Sequence, residues 1–475
     1  MSQHVARTGL VALVGLILSL LSSAGDARAA TFAPDPIRPS GVIVRAVEVA
    51  TPFSPGPNNF AAPKAIDGAL HYVDQAGRIL RETASGFQTV LDLANAAPAG
   101  FSPSSRAAIL DIADGAGDAV FVATLSESLP TDAPPARRPP TVGEYSSTPL
   151  YQVVYRYRRA SDGTLTDPVA LASFGIGDSG HLGGGLLGLD GGDVLFAIGD
   201  GLLFGTDGRA APQDDSSHLS KILRIDATTG AAQVVAKGLR NTQRLTWTDA
   251  SKTAVAMSDI GAATAEEINV VPLADLLDTT VIENFGWGRN ADGLAREGTF
   301  YIAPGAPGVT GAPDAVGEAP PGEAGFLQPY AQFGREDLTF AAVSGPVFSA
   351  SSFDGIAALF GDLVSGRVYA TLADPFWVVG QVDVFRVNLQ DESGAPTSLF
   401  ELGARNGRVD PRFFNFADGG AGVLLEGAGR AFRLTEVRTA VPLPAMGWAF
   451  ALLLAGMAMG SRGRSGCRGI EEDRA

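Results

Sequence analysis

Val194-Leu-Phe-Ala-Ile198-Gly-Asp200-Gly, followed by Ile222-Leu-Arg-Ile-Asp226, Thr253-Ala-Val-Ala-Met257 and Glu267-Ile-Asn-Val-Val271, is the stretch that sets the fold class. Each run is short and mostly apolar, and each is closed within a few residues by Gly, Asp or Pro. Short runs with that punctuation read as strands joined by tight turns. Working outward, the same pattern recurs at 69–74, 119–125, 151–157, 367–372, 381–387 and 422–425. Between them no amphipathic helix of several turns is expected, only short ones at 273–277 and 355–360. The 59 glycines and 30 prolines agree with a turn-rich chain. The pattern predicts an all-β sandwich, barrel or propeller. For a single body of this length the propeller is favoured, because radial repetition of four-stranded blades protects the strand edges.

The two ends read differently. Met1 to Arg7 is weakly basic, Leu10 to Leu21 is apolar, and Ala27-Arg28-Ala29 offers a small-residue cleavage site. That is the order of a cleavable secretory signal over 1–29, and its apolar run is shorter than the roughly 17–25 residues of a permanent anchor. At the other end, Val441-Pro442-Leu443-Pro444-Ala445 precedes an apolar stretch through Gly460 and then Arg462 and Arg464. Arginines there would stay cytoplasmic and hold the preceding body across the membrane. A marginal transmembrane anchor or a buried C-terminal helix is the alternative, though Trp448 to Met459 has no polar face. Motif, hydrophobic span and arginines together resemble the VPLPA variety of PEP-CTERM sorting signals. That implies delivery to the cell surface or outside it, with exosortase machinery as a partner and transient membrane contact through residues 441–464. Residues 465–475 then form a cytoplasmic tail, and 30–438 form the exported body.

The chain carries 35 basic and 51 acidic residues. The two ends hold six Arg and four acids, so the body keeps 29 basic against 47 acidic residues, a net charge of about −18. Such a surface repels phosphate backbones and excludes nucleic acid as the expected partner. The single cysteine, Cys467, lies in the tail, so the body has no thiol to pair. Residues 126–149 and 303–325 are rich in Pro, Ala and Gly and are expected to be surface loops.

The stretch from Ser179 to Trp287 holds the candidate chemistry. It contains Ser179-Gly-His181-Leu-Gly-Gly-Gly, Ala197-Ile-Gly-Asp200-Gly, Gln213 to Asp226, Gly238-Leu-Arg240-Asn241-Thr-Gln243, Ser258-Asp-Ile-Gly261-Ala262-Ala-Thr-Ala-Glu266-Glu267-Ile-Asn269 and Asn284-Phe-Gly-Trp287. In this order and spacing the segments resemble the glucose/sorbosone dehydrogenase family, quinoprotein sugar dehydrogenases on a six-bladed β-propeller. The resemblance continues more weakly through Gln75-Ala-Gly-Arg78-Ile and Gly366-Arg-Val-Tyr.

The resemblance implies His181 as the base that takes a sugar hydroxyl proton, with Asp200 orienting it and stabilising its charged form. A neutral histidine suits proton abstraction near pH 7. It implies Arg240, Asn241 and Gln243 at a pyrroloquinoline quinone (PQQ) cofactor, where a guanidinium would stabilise charge on the reduced quinone. It places the Gly261 and Ala262 carbonyls, with Glu266 and Glu267, at a Ca²⁺ ion, and hard oxygen donors suit that ion. Taken alone, the same residues equally suit a structural histidine, a Gly-Asp-Gly turn, a strand-end ion pair and solvated acids. Other family residues have no clear counterpart. Gly180 stands where an acid often precedes the histidine, a site glutamine would fall near Ser104 or Ser105, a lysine near Val364, and an arginine pair around Arg408 and Arg412.

Two functions follow. The first is an exported PQQ- and Ca²⁺-dependent aldose dehydrogenase. The second is a non-enzymatic surface or matrix propeller of the same ancestry that binds glycans or a protein partner.

Overall fold

The computed structural model describes residues 37–53, 61–137, 150–176, 180–201, 211–262, 265–288, 295–297, 300–302, 315–318, 325–334, 343–348, 350–372, 382–403 and 409–437. The expected signal peptide, sorting tail, cytoplasmic tail, Cys467 and Arg408 lie outside them. Among the described residues no helix is long and apolar enough to cross a membrane.

In chain order the strands are β1 (Arg38–Val49), then β2 (Lys64–Ile66), β3 (Ala69–Asp74), β4 (Arg78–Thr83) and β5 (Gly86–Asp92). Next come β6 (Ile109–Asp114), β7 (Ala119–Ser126), β8 (Leu150–Arg159) and β9 (Leu165–Ile176). They are followed by β10 (Gly183–Gly188), β11 (Val194–Ile198), β12 (Lys221–Ile225) and β13 (Ala232–Lys237). β14 (Thr242–Trp247), β15 (Ala254–Asp259), β16 (Ala265–Pro272), β17 (Glu283–Asn284), β18 (Ala295–Glu297), β19 (Phe300–Ile302), β20 (Ala315–Glu318) and β21 (Ala331–Gly334) continue the chain. The last are β22 (Val343–Phe348), β23 (Ile356–Asp362), β24 (Val368–Leu372), β25 (Phe385–Gln390), β26 (Pro396–Thr397), β27 (Pro411–Asn415), β28 (Ala421–Leu425) and β29 (Arg430–Val437).

The all-β, propeller-like expectation holds, but six separate blades are not what forms. Four blades stand as separate sheets: β2–β5, β6–β9, β10–β13 with β17, and β14–β16 with β21. The antiparallel runs β22–β25 and β27–β29 belong instead to one nine-stranded sheet. The cause is β1, which pairs antiparallel with β29 through Ile43↔Val437 to Val49↔Ala431 and parallel with β25 on its other side. One strand thus occupies two edges, leaving neither open for association. β18–β20 form a small separate sheet, so residues 315–318 are a strand where a loop is expected. Of residues 355–360, expected as a short helix, Ile356 to Phe360 are also strand. Their apolar run is too short for periodicity to choose, and pairing of β23 with β22 and β24 decides.

The sheets pack face to face around an axis lined by β2, β6, β10, β14, β22 and β27, each touching the next and β27 returning to β2. Burial on both faces explains the apolar runs. All five residues of β11 are buried, with Phe196 against Phe174 and Leu223 on one side and Leu195 against Leu245 and Met257 on the other. The same layering places Phe333, Phe360 and Tyr369 together, and Tyr72 with Phe414. Chain segments entering the inner strands and leaving the second strands converge at one end of the axis. That is where the polar residues gather.

Candidate functional site

His181 precedes β10 with φ 47°, a left-handed conformation uncommon for a non-glycine residue and a mark of local strain. The strain is held by close packing of two backbones. A Cβ on Gly199 would stand 2.0 Å from the His181 carbonyl oxygen, so only glycine fits there. Gly199 leads into Asp200, whose Oδ1 lies 2.7 Å from His181 Nδ1. The other oxygen of Asp200, Oδ2, accepts from Trp287 Nε1 at 3.2 Å.

Arg240, before β14, lies on the far side of the imidazole. Its Nη2 is 3.1 Å from His181 Nε2, and a guanidinium only donates. Nε2 is therefore the acceptor, and Nδ1 carries the hydrogen given to Asp200. Nη1 of the same guanidinium donates to the carbonyls of Ile260, 2.9 Å, and Gly261, 2.6 Å. The Trp287 ring lies 5.6 Å from the guanidinium carbon.

Buried Asp259 fixes this turn. Its carboxylate accepts from Arg240 N at 2.8 Å, Asn241 N at 2.7 Å and Thr242 Oγ1 at 3.1 Å. Burial nonetheless raises its pKa to about 6. Asn241 turns its side chain back to β10, where Oδ1 accepts from Gly183 N at 3.1 Å. Gln213 and Asn284 bond each other, and Gln213 Nε2 also donates to the Trp287 carbonyl at 2.7 Å, which anchors the tryptophan segment.

A cavity of about 250 Å³ opens at this end of the axis, lined by Gln75, Arg106, His181, Gln243, Arg244 and Arg412 among others. Gln243 Oε1 accepts from Arg412 Nη1 at 3.0 Å, and Arg412 forks onto Glu426 at 3.0 and 2.6 Å.

The structure therefore brings His181, Asp200, Arg240, Asn241 and Gln243 to one place. Gly261 joins them through its carbonyl, and Ala262 packs on Trp287. Glu266 and Glu267 are buried one strand away on β16. Glu266 Oε2 accepts from Gly261 N at 3.2 Å, and Glu267 Oε2 from Asn269 Nδ2 at 3.0 Å. Ser104 is engaged with Arg106 N, and Val364 sits in the β23–β24 turn on Asp362; neither lines the cavity. Sequence reasoning missed Arg244 and the anchoring role of Asp259. It passed over Trp287 and Gln75, which stand inside quoted motifs, and undervalued Arg412.

The donor set does not fit calcium as arranged. Of the two carbonyls expected at calcium, that of Gly261 faces the Arg240 guanidinium together with the Ile260 carbonyl, so a cation already stands beside one expected donor. Among the described residues no group of three His, Cys, Asp or Glu could hold a metal. An anionic quinone is compatible in charge: Arg106 and Arg244 line the cavity, with Arg412 there paired to Glu426, and arginine matches carboxylates in geometry.

No family model matches the sequence, and no curated protein sequence matches it. Solved structures do. The PQQ-bound aldose sugar dehydrogenase of Streptomyces coelicolor superposes with a TM-score of 0.52 at 17% identity, covering 84% of this chain and all of that one. A protein of Thermus thermophilus described as an oxidoreductase of glucose dehydrogenase type gives 0.51 at 16% identity, covering 83% of this chain and all of that one. At these identities the likeness is one of fold.

Proposed function

We propose that this chain is an exported, quinone-dependent sugar dehydrogenase in which His181 Nε2 takes the proton of a sugar hydroxyl. The observation that carries the reading is the His181–Asp200 pair at 2.7 Å beside a polar axial cavity. Bound PQQ would supply the two-electron acceptor. The chain's own residues do the rest. Asp200 stabilises the imidazolium that forms, and Trp287 keeps Asp200 aimed at Nδ1. The arriving hydroxyl displaces Arg240 Nη2 from Nε2, while Nη1 stays on the Gly261 carbonyl and keeps the guanidinium near the reacting atoms. Arg106 at the cavity wall would face the quinone's carboxylates, beside Arg412, which is turned onto Glu426 and Gln243. The fold of the two superposed proteins supports the reading, as do the leader and tail motifs for export.

Calorimetric titration of the purified chain with PQQ, followed by dye reduction with aldoses, tests it. Binding with sugar-dependent dye reduction is expected; absence of quinone binding contradicts it. A second reading, a non-catalytic glycan-binding propeller, is favoured by one observation, that Arg240 covers both the base nitrogen and the Gly261 carbonyl, one of the two expected at calcium. Glycan binding without quinone binding would select it.

A further inference from the structure

Arg244, on β14 next to Gln243, is 8% exposed. It lines both the 250 Å³ cavity and a second one of about 560 Å³ on the other side, so it stands at the waist of the axis. Its Nε and Nη1 have no hydrogen-bond partner among the described residues. Buried guanidinium donors without a hydrogen-bond partner are expensive, and native proteins pair such groups.

The nearby carboxylates do not supply a hydrogen bond. Asp111 is occupied: Oδ2 meets Lys64 Nζ at 2.9 Å and Leu186 N at 2.8 Å, and Oδ1 accepts from Ile112 N at 2.9 Å. Glu426 is taken by the fork of Arg412. With Lys64 bonded to Asp111 and Arg412 to Glu426, Arg244 feels the charge of Asp111 but has no hydrogen-bonded carboxylate of its own. Burial lowers its pKa to about 10, which leaves it charged at neutral pH. Without quinone the space is on the order of eight water volumes, enough for one monosaccharide.

We propose that the axial cavity takes an acidic monosaccharide, a hexuronate, with its carboxylate on the Arg244 guanidinium and its hydroxyls towards His181. This deepens the sugar-oxidising reading and rests on it. Arginine recognises a carboxylate through paired N–H donors, whereas a neutral hexose leaves the guanidinium without a hydrogen-bonded carboxylate.

The test is calorimetric titration of the full chain, without quinone, with D-glucuronate, D-glucose and acetate, repeated on Arg244→Met. Glucuronate binding at least tenfold tighter than glucose, with the difference lost in Arg244→Met, is expected. Equal affinities, a preference that survives the substitution, or acetate binding as tightly as glucuronate (an adventitious ion only) each overturns the proposal. So does Arg244-dependent quinone binding that glucuronate fails to compete, which would assign the guanidinium to the cofactor. Arg244→Met removes donors without a hydrogen-bond partner and is expected to fold; should it not, the glucuronate-to-glucose ratio of the unaltered chain decides alone. Glucuronate preference without any oxidation would refute the dehydrogenase reading and leave the anion site standing. Glucose oxidation without glucuronate preference would do the reverse.

Discussion

Arg240 Nη2 donates to His181 Nε2 across 3.1 Å, so one guanidinium fixes the tautomer of the imidazole and shields its lone pair. On the proposed mechanism the sugar hydroxyl replaces this contact. Arg240→Ala is expected to free Nε2 yet slow oxidation by about tenfold to a thousandfold, because loss of positive charge beside the reacting atoms outweighs easier access. Steady-state kinetics with saturating quinone check it; an Arg240→Ala variant as fast as the parent would show that the guanidinium only blocks the base.

Asp200 has two tasks, accepting from Nδ1 and balancing the imidazolium. Asp200→Asn keeps the shape and removes the charge. Its kcat is expected to fall about a hundredfold or more, with PQQ affinity unchanged. Trp287→Phe removes the 3.2 Å bond to Oδ2 and shrinks the ring that packs on Arg240 and Ala262; kcat is expected to fall about tenfold, of which roughly 1.5 kcal/mol is the hydrogen bond to a charged group.

Asp259 predicts a stability effect. Replacing it by Ala orphans the N–H groups of Arg240 and Asn241 and the Thr242 hydroxyl. A loss of about 3 kcal/mol or more is expected, read as a lower urea midpoint at unchanged slope. Asp259→Asn should lose less, since the amide oxygen still accepts.

Two buried histidines set a pH limit. Burial holds His71 and His218 near pKa 4, and they bond the carbonyls of Ala69 and Gly175. Their folded pKa values lie below the ordinary 6.5, so between about 4 and 6.5 the unfolded chain binds more protons. Stability is therefore full above 6.5 and declines as pH falls through that window. Each contributes on the order of 3 kcal/mol. Melting temperatures from pH 7.5 to 4.5 should fall steeply, and His218→Gln should flatten the decline.

The strands were legible because burial on both faces makes runs such as Val194–Ile198 apolar throughout, and turn residues mark their ends. The sheet count was not, because β1 joins two runs from opposite ends of the chain, a pairing that no local pattern encodes. His181, Asp200 and Arg240 were found through motif order, and their convergence is visible in the bonds between them. Arg244 escaped notice because an arginine within a strand reads as a solvated residue; only the fold turns its side chain towards the axis. The contact between the Gly261 carbonyl, expected at calcium, and the Arg240 guanidinium depends on how two turns meet in space, which sequence spacing does not reveal.

The central claim is that His181 is the proton acceptor in sugar oxidation. Dye reduction by the quinone-loaded chain, parent against His181→Asn, tests it most directly. A fall in kcat of about a hundredfold to ten-thousandfold is expected, with PQQ still bound at parental affinity. A His181→Asn chain that binds PQQ and oxidises sugar at the parental rate would contradict it.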